Sequence, residues 1–462
     1  MTLDPTTLRV AILGAGPSGF YAAEALQKAV PSIRIDMYDR LPTPFGLVRG
    51  GVAPDHPRIK SVTRVFDRIA SHGQFRFIGN VEVGRDVTPA ELRRHYDAVL
   101  FAVGARTDRT LGIPGEGLPG SHAATELVGW YNGHPDYRAA RFDLTVPAAA
   151  VVGLGNVAMD VTRILSRRPE DLGITDVADH AARELAESAL REVHVLGRRG
   201  PVQGAFTTPE LRELGELPGV DVIVDPRDLE LDEVSAAHLA ETSDRTAEKN
   251  LEVLRGWAGR EPTGAPRRIV FHFCVSPVEI LGEDRVSGVR IVRNRLEPDG
   301  RGGVRPVPTG EETVLPVGLV FRSVGYRGVA IDGLPFDDAR GVVPNAEGRV
   351  VEHEGSHTAV DGVYVCGWIK RGPTGVIGTN KVCAAQTIDH LLADAVAGRI
   401  SAAAADPDTL IARLRADGAR LTDWDDWSRL DAIEVARGKS AGKPREKLTS
   451  ITEMLDALEG DG

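Results

Sequence analysis

Two glycine-rich turns, each following a short apolar run, constrain the fold of this chain more than any other feature of its sequence. The first turn, residues 14–19 (GAGPSG), follows the apolar residues 10–13, and the second, residues 153–158 (GLGNVA), follows residues 149–152. A G-x-G-x-x-G/A turn between a strand and a helix is the phosphate-binding turn of the βαβ nucleotide-binding unit. The repeated pattern therefore predicts two such units in one chain.

The residue that ends the next strand distinguishes the two units. Asp39 lies 20 residues beyond the first turn, whereas Arg198 and Arg199 follow the second strand of the second unit. An acid at this position bonds a free ribose 2′-hydroxyl, and arginines accommodate a 2′-phosphate. The first unit is therefore predicted to bind FAD or NAD, and the second to bind NADP. The 40 residues from Ala158 to Arg198 exceed the usual spacing, which we attribute to an insertion at 167–190.

Each position of the first turn has a physical role. Gly14 makes the tight turn, Gly16 lets the pyrophosphate approach the backbone, and Gly19 lets helix and strand pack closely. The helix that begins near Ser18 directs N–H groups and a positive dipole toward the phosphates. The same roles predict that Gly155 lets the second nucleotide approach the backbone and that Ala158, which the pattern allows in place of glycine, lets helix and strand pack.

Composition excludes several classes of partner. The net charge is −11, from 66 acidic and 55 basic side chains, which argues against broad binding of nucleic acid or of an anionic membrane. No apolar run approaches the ~20 residues that a membrane helix needs. The N-terminus lacks a basic segment followed by an apolar core, so we expect a cytoplasmic protein, of bacterial type.

Cysteine usage bounds the redox chemistry. The three cysteines, Cys274, Cys366 and Cys383, include no C-x-x-C pair, so a dithiol centre of the disulfide-reductase type is excluded. Three cysteines also cannot supply a four-cysteine iron–sulfur frame. We expect them to be buried as small hydrophobic side chains, and we expect no bound metal.

The pattern of elements predicts an α/β fold with two Rossmann-like three-layer domains, the NADP domain inserted into the FAD domain. Residues 1–108 and 330–462 are predicted to form the discontinuous FAD domain, and residues 109–329 the NADP domain. Residues 297–311 are rich in Gly, Pro and Arg and are predicted to form a loop. The segment beyond residue 400 is predicted to be helical, with no recognisable site.

Three longer motifs carry a family resemblance. They are residues 44–57 (PFGLVRGGVAPDHP), 206–212 (FTTPELR) and 367–381 (GWIKRGPTGVIGTNK). Together they resemble the adrenodoxin-reductase family, and most closely its actinobacterial NADPH–ferredoxin reductases. The resemblance runs from about residue 9 to residue 396. Gly367-Trp368 departs from the Gly-Asp of the broader disulfide reductases, which favours this branch.

The resemblance implies which residues hold FAD. Beyond the glycines of the first turn, it assigns FAD contacts to Ser18, Asp39, Leu47, Val83, Trp368, Gly375, Val376 and Ile377. The family commonly has Glu where this chain has Asp39, and the shorter acid should still reach the ribose. The helix after Ile377 is expected to direct its N-terminus at the pyrimidine end of the flavin, where a positive dipole stabilises the reduced cofactor.

The resemblance also implies the NADPH contacts. They are Asn156, Val157, Arg198, Arg199, Glu210 and Gly375, the last touching both cofactors where nicotinamide stacks on flavin. The family further places His56 and Asp160 as an ionisable pair, here predicted to be catalytic, near the flavin and the domain junction. This pair either manages the proton of the flavin or fastens the two domains, and the sequence leaves both open.

These inferences predict an enzyme of electron transport, an NADPH:ferredoxin oxidoreductase. Hydride passes from NADPH to FAD, and single electrons leave to an external, acidic iron–sulfur protein of the ferredoxin type that binds transiently to a monomer. Docking on a net acidic protein needs a local basic patch. Candidates for that patch are Arg212, Arg290, Arg293, Arg295, Lys370, Arg371 and Lys381. Two alternatives remain: an FAD-dependent NADPH oxidase or monooxygenase, and a non-catalytic nucleotide-sensing module.

Overall fold

The computed structural model describes residues 5–300, 302–356 and 358–460 of the chain. These residues form strands and helices that alternate along much of the sequence, as in α/β proteins. Among the described residues, the search for a helix with the length and hydropathy of a membrane span finds none.

The chain folds into two compact units. The first unit comprises Met1–Val52, His56–Thr107 and Tyr326–Gly462. The second unit comprises Ala53–Asp55 and Asp108–Gly325. Most of the second unit is therefore one continuous insertion in the sequence of the first, and each unit contains one of the two glycine-rich turns.

The first unit is built on a seven-stranded sheet. In spatial order its strands are Asn345–Ala346, Arg349–Val351, Ala359–Val365, Ala98–Phe101, Arg9–Leu13, Arg34–Tyr38 and Phe75–Ile78. The last five are parallel, and the first two pair antiparallel. Val10 and Ile12 pack into the core on one face of the sheet, and Ala11 and Leu13 pack into the core on the other. Both faces are covered, which explains the continuous apolar run before the first turn.

Helices cover both faces of this sheet. They are Pro17–Ala29, Leu47–Gly50, Pro57–Lys60, Thr63–Ala70, Pro89–His95, Trp368–Arg371, Ile377–Val396, Pro407–Ala416, Trp424–Ser440 and Ile451–Glu459, with a 3₁₀ turn at Pro5–Thr7. Capping side chains mark the start of two of these helices. Thr88 and Glu91 form a reciprocal capping box before Pro89–His95, and the Asp423 side chain accepts hydrogen bonds from the first amides of Trp424–Ser440. The region beyond residue 400 is helical, as predicted.

The second unit is built on a six-stranded parallel sheet. In spatial order its strands are Ser121–Ala123, Leu319–Arg322, Ala148–Val152, Glu192–Leu196, Arg267–His272 and Val220–Val224. One face packs against helices that bury a large apolar core. The other face packs against an antiparallel sheet of Val275–Leu281, Gly288–Pro298 and Val304–Leu315. The predicted fold class, two Rossmann-like three-layer α/β units, is confirmed.

The helices of the second unit account for its unusual spacing. They are Ala124–Tyr131, Asn156–Ser166, Pro169–Gly173, Asp179–Ala186, Thr208–Leu214, Glu233–Thr242 and Arg245–Ala258, with 3₁₀ turns at Pro135–Tyr137, Pro201–Gln203 and Pro226–Leu229. The predicted insertion at 167–190 contains two of these helices. The strands on either side of it, Ala148–Val152 and Glu192–Leu196, are nevertheless adjacent and parallel, so the βαβ unit is preserved.

The prediction of a loop at residues 297–311 is wrong. Strand Val304–Leu315 pairs antiparallel with Gly288–Pro298, and the chain turns between them near Asp299. Pro306 and Pro308 are tolerated because Val304–Leu315 is the edge strand of its three-stranded sheet. The remaining short strands are Thr107–Asp108 and Tyr326–Arg327.

Candidate functional site

The first glycine-rich turn has the backbone geometry that a phosphate site requires. Gly14 has φ +108°, and a Cβ there would lie 2.6 Å from the carbonyl oxygen of Ala102. A Cβ on Gly19 would lie 2.1 Å from the carbonyl oxygen of Gly14, so both positions exclude a side chain. The Gly14 amide donates to the Tyr38 carbonyl at 2.7 Å, which joins the turn to the next strand. At Gly16, by contrast, the nearest contact of a Cβ would be Gly46 Cα at 4.0 Å, so this side of the turn is less crowded.

No described side chain caps the start of the helix after this turn. Pro17–Ala29 has Gly16 as its N-cap, which provides no side-chain acceptor. Asp39 accepts hydrogen bonds from the Ala15 amide at 2.8 Å and from the Leu41 amide at 2.9 Å. Burial raises the pKa of Asp39 above the usual carboxyl range, and these two amides oppose the shift. Each carboxylate oxygen retains acceptor capacity for a ribose hydroxyl.

The segment 41–51, here called the flavin loop, lies against the first turn. The Phe45 amide donates to the Ala15 carbonyl at 2.7 Å, with Phe45 at φ +84°. Gly46 has φ +48°, and a Cβ on it would come within 3.0 Å of Gly16 Cα. Leu47, predicted to contact FAD, is the first residue of the short helix that follows and is exposed.

The C-terminal motif of the first unit also lies at this turn. A Cβ on Gly367 would lie 2.1 Å from the Ser18 hydroxyl oxygen, so the strand that ends at Val365 leads directly onto the helix of the first turn. Trp368 packs on Tyr326 with 5.3 Å between ring centroids. Its indole Nε1 is buried with no hydrogen-bond partner among the described residues, so a donor is left for a ligand.

The helix Ile377–Val396 begins immediately after the predicted contacts Gly375 and Val376. Val376 is 56% exposed, and the first turn of the helix contains no acidic residue. A left-handed glycine (Gly375, φ +79°) directs the chain into this helix. The less crowded turn at Gly16, the exposed helix start and the unpartnered Trp368 indole together fit a flavin dinucleotide held by the first unit.

The second turn repeats this geometry. Gly153 has φ +139°, and a Cβ there would lie 2.2 Å from the Ser323 carbonyl oxygen. A Cβ on Gly155 would meet no described heavy atom within 4 Å, so this face of the turn is open. Gly155 caps helix Asn156–Ser166 without a side-chain acceptor, and Ala158 is fully buried where helix and strand pack.

The motif 206–212 is tied to the second turn. Asn156 Oδ1 accepts a hydrogen bond from the Thr207 amide at 2.8 Å, while the adjacent Val157 is half-buried. Helix Thr208–Leu214 follows and carries Glu210 in its first turn. The predicted NADP residues Asn156, Val157 and Glu210 are therefore brought together in the second unit.

Arg198 and Arg199 follow the strand Glu192–Leu196, beside the second turn. Arg198 is exposed and Arg199 is half-buried, and among the residues that the structure describes neither forms an ion pair. Burial and the charge of Arg198 lower the pKa of Arg199, so the two guanidinium groups repel each other. Two adjacent cations without a carboxylate partner fit the dianionic 2′-phosphate of NADP.

A buried arginine that sequence reasoning missed organises the acids of the second unit. Arg163 is fully buried and donates to Asp55 at 2.7 Å, to Asp160 at 2.6 Å and to Glu210 at 3.2 Å. Burial disfavours the charged guanidinium, but the carboxylates of Asp160 and Asp55 outweigh it and raise the pKa of Arg163. Two predicted site residues, Asp160 and Glu210, are thus held by one cation. The spacing of Asp160 and Arg163, i and i+3 on one helix, is the local signal that could have found it.

His56 belongs to the first unit, where it is buried and caps the short helix Pro57–Lys60. Val83, predicted to contact FAD, is half-buried in the same unit and forms an isolated bridge with Val87. Asp160 lies on a helix of the second unit. The pairing of His56 with Asp160 stays a prediction.

The three cysteines are free. Cys366 and Cys383 are buried in the first unit, where Cys383 Sγ accepts from the Gly367 amide at 3.3 Å. Cys274 is half-buried, and burial raises its pKa to about 11. At neutral pH its thiol is therefore protonated and a poor nucleophile.

Most of the proposed docking cations are neutralised by acids. Arg290, Arg293 and Arg295 pair with Glu279, Asp228 and Glu297, at 3.0, 2.6 and 2.9 Å. Lys381 pairs with Glu24 at 3.2 Å, while Arg371 donates to Asn380 at 2.8 Å. Arg212, in contrast, is exposed and forms no ion pair with a described residue. The arginine-rich strand 290–295 therefore contributes little net positive charge.

Two units with a flavin-type turn and an NADP-type turn define a pyridine-nucleotide-dependent flavoprotein oxidoreductase. In agreement, a family model described as pyridine nucleotide-disulphide oxidoreductase matches residues 8–196. The chain is 48% identical to the NADPH-ferredoxin reductase FprA of Mycobacterium tuberculosis over 96% of its length and 98% of the relative. It is 42% identical to the mitochondrial NADPH:adrenodoxin oxidoreductase of Arabidopsis thaliana, over 97% of this chain and 95% of that one.

A solved structure agrees with these relatives. The structure of Mycobacterium tuberculosis FprA in complex with NADPH matches with a TM-score of 0.91 and 47% identity, over 98% of this chain and 100% of that one. The chain therefore belongs to the family of NADPH–ferredoxin and NADPH:adrenodoxin reductases, and the family resemblance of its motifs is confirmed.

Proposed function

We propose that this protein is an NADPH:ferredoxin oxidoreductase that takes hydride from NADPH, with FAD as its bound flavin, and gives single electrons to a small iron–sulfur protein. One observation carries this proposal: a glycine-rich turn is followed by an acid in the first unit and, in the second, by two arginines that form no ion pair with a described residue. The names and NADPH complex of the relatives support it. When bound, FAD supplies the exchange between two-electron and one-electron chemistry.

The first unit is proposed to hold FAD. The amides of helix Pro17–Ala29 bind the pyrophosphate, Asp39 accepts from the ribose, and the helix start at Ile377 lies at the pyrimidine end of the flavin. The set of side chains and backbone groups is Gly14, Gly16, Ser18, Gly19, Asp39, Leu47, Val83, Trp368, Gly375, Val376 and Ile377. The unpartnered indole N–H of Trp368 supports this assignment, because a buried donor needs an acceptor.

The second unit is proposed to hold NADPH. Arg198 and Arg199 bind the 2′-phosphate and select NADPH over NADH, and the turn 153–158 binds the pyrophosphate. The full set proposed is Gly155, Asn156, Val157, Ala158, Arg198, Arg199, Glu210 and Gly375.

His56 and Asp160 are proposed to hold or move a proton near the reacting atoms, and Arg163 to position Asp160 and Glu210. Arg163 donates to three carboxylates within 3.2 Å, one of them Asp160, so it fixes the orientation of Asp160. Substitution of Arg163 would leave these acids without their common cation.

The electron acceptor is proposed to be a separate protein. The chain has three cysteines, too few for a four-cysteine cluster, and all three are free thiols. We further propose that the protein is a cytoplasmic monomer and that its ferredoxin is acidic and binds transiently.

Anaerobic titration of the purified yellow protein tests the function. We expect NADPH to bleach the flavin absorbance near stoichiometry, the same concentration of NADH to bleach it far less, and added ferredoxin to be reduced. Peroxide release in air without ferredoxin reduction would point to an oxidase. Bound nucleotide without bleaching would point to a nucleotide-sensing module.

A further inference from the structure

The C-terminal segment, residues 422–459, packs on the flavin loop although the sequence assigned it no role. The Thr422 hydroxyl donates to the Pro42 carbonyl at 2.9 Å. Trp427 meets Phe45 edge to face, with 5.4 Å between ring centroids, and Trp424 meets the same ring at 6.0 Å. Both contact partners, Pro42 and Phe45, lie within the flavin loop, so this segment forms its outer support.

A fully buried carboxylate lies at the centre of this contact. Glu434, on helix Trp424–Ser440, pairs with both terminal nitrogens of Arg49, and Arg49 Nη1 donates to Glu434 Oε2 at 2.8 Å. Arg445 Nη1 and the Leu448 amide also donate to Glu434, each at 3.0 Å. Burial would raise the pKa of Glu434, but Arg49, Arg445 and the Leu448 amide outweigh it and lower the pKa, so the carboxylate stays ionised.

Arg49 connects Glu434 to the segment that packs on the first glycine-rich turn. It lies on the helix Leu47–Gly50, and its guanidinium carbon is 5.3 Å from the centre of the Trp427 ring. Gly46, which begins this helix, packs directly on Gly16 of the turn. The bidentate pair therefore fixes a segment of backbone that packs on the turn of the proposed pyrophosphate site.

We propose that Glu434 is a positioning residue for FAD: through Arg49 it holds the flavin loop against the turn 14–19 and so sets how tightly FAD is retained. This inference rests on the FAD site of the proposed function. Without the pair, the loop leaves its binding-competent position in a larger fraction of molecules, and the apparent FAD affinity falls by that fraction.

The test compares FAD retention in the holoenzyme and in the Glu434→Gln variant. Serial dilution followed by ultrafiltration gives the FAD dissociation constant from the flavin that passes the membrane. We expect Glu434→Gln to weaken FAD binding by about tenfold or more, because Arg49, whose side chain is only 11% exposed, loses its charge partner. Binding of 2′,5′-ADP to the second unit should not change.

Asp394 provides a matched control in the same unit. Its side chain is 5% exposed and binds Arg349 at 2.7 Å and Arg399 at 2.7 Å, but no contact joins it to the flavin loop among the described residues. Asp394→Asn should lower the urea midpoint of unfolding as Glu434→Gln does, yet leave the FAD dissociation constant within about twofold. Equal FAD affinity in the two variants and the wild type would overturn the positioning role.

A second variant covers the case in which Glu434→Gln does not fold. Arg49→Gln leaves Glu434 paired with Arg445 and should weaken FAD binding to the same extent. The double variant Arg49→Gln/Glu434→Gln should lose no more FAD affinity than either single variant, because the two substitutions remove the same Arg49–Glu434 interaction. Additive losses would contradict the proposal. A wild-type protein without FAD would instead contradict the proposed function itself.

Discussion

At the scale of single residues, the choice of nucleotide depends on Arg198 and Arg199. Their guanidinium groups have no ion-pair partner among the described residues, so charge reversal removes no ion pair with those residues. We expect Arg198→Glu/Arg199→Glu to lower kcat/KM for NADPH by about a hundredfold or more, since each charge-assisted contact contributes about 1.5–3 kcal/mol. The activity with NADH should change much less, and the flavin spectrum should stay the same. Steady-state kinetics with both nucleotides measures the effect.

Arg290 and Arg295 offer a control with the same change of charge. They lie in the antiparallel sheet of the second unit and pair with Glu279 and Glu297. Arg290→Glu/Arg295→Glu should leave the NADPH preference intact. If the variant at 198 and 199 kept its preference for NADPH, the second turn would have been misinterpreted.

The sequence predicted the residues whose roles are local. Gly14, Gly19 and Asp39 lie within one βαβ unit, and their spacing alone indicates a tight turn, a close helix contact and an acid at a strand end. Arg163 lies three residues after Asp160, which is a local signal, but its other partner Asp55 lies 108 residues away, and no local pattern indicates that contact.

At the scale of elements, the strands with apolar periodicity were predictable and the edge strand was not. Ala98–Phe101 and Ala148–Val152 are apolar throughout because both faces of their sheets are covered. Val304–Leu315 contains two prolines and mainly exposed residues, so its composition is typical of a loop. Its strand conformation comes from pairing with Gly288–Pro298, a tertiary contact.

Adjacent strands of the second unit carry a histidine pair that makes stability depend on pH. His194 Nδ1 lies 3.0 Å from His272 Nε2, and burial and the neighbouring His194 lower the pKa of His272 to about 4 from an ordinary 6.5. A depressed histidine pKa means that stability is complete above pH 6.5 and is lost as the pH falls toward 4. We expect the free energy of unfolding to fall by about 2–3 kcal/mol over this range from His272.

Urea unfolding between pH 7 and pH 4 measures this dependence. His272→Gln should make the free energy of unfolding depend less on pH, because the side chain can no longer gain a proton on unfolding. His238→Gln, a change on the partly exposed helix Glu233–Thr242, should leave the slope as in the wild type. An unchanged slope in His272→Gln would show that other groups cause the acid sensitivity.

At the scale of the whole molecule, the contacts between distant segments of the chain were only partly predictable from the sequence. The two separated turns and the late motif 367–381 indicated that a C-terminal segment completes the first unit. The pairing of Glu434 with Arg49 spans 385 residues and connects a helix without a motif to the flavin loop. Such a contact depends on the packed arrangement of Trp424–Ser440, which amphipathic periodicity alone does not specify.

The distribution of charge over the molecule determines how the protein would meet a ferredoxin that is acidic, as we propose. The protein carries a net charge of −11, and most of the candidate docking cations are paired with acids. Steering would therefore depend on candidates that form no ion pair with a described residue, such as Arg212. We expect the second-order rate of ferredoxin reduction to fall by about tenfold between low and physiological salt, while reduction of an uncharged quinone changes little. Stopped-flow measurements over a salt series give both rates.

Arg212→Gln should lower the rate of ferredoxin reduction at low salt and make its salt dependence shallower, because one unscreened cation has been removed from the encounter. Arg227→Gln removes the same charge from an exposed arginine that is paired with Asp225 at 2.6 Å. This control should leave the salt dependence of ferredoxin reduction nearly as in the wild type. Equal salt responses with ferredoxin and with the quinone would contradict electrostatic steering, and docking would then depend on apolar contact alone.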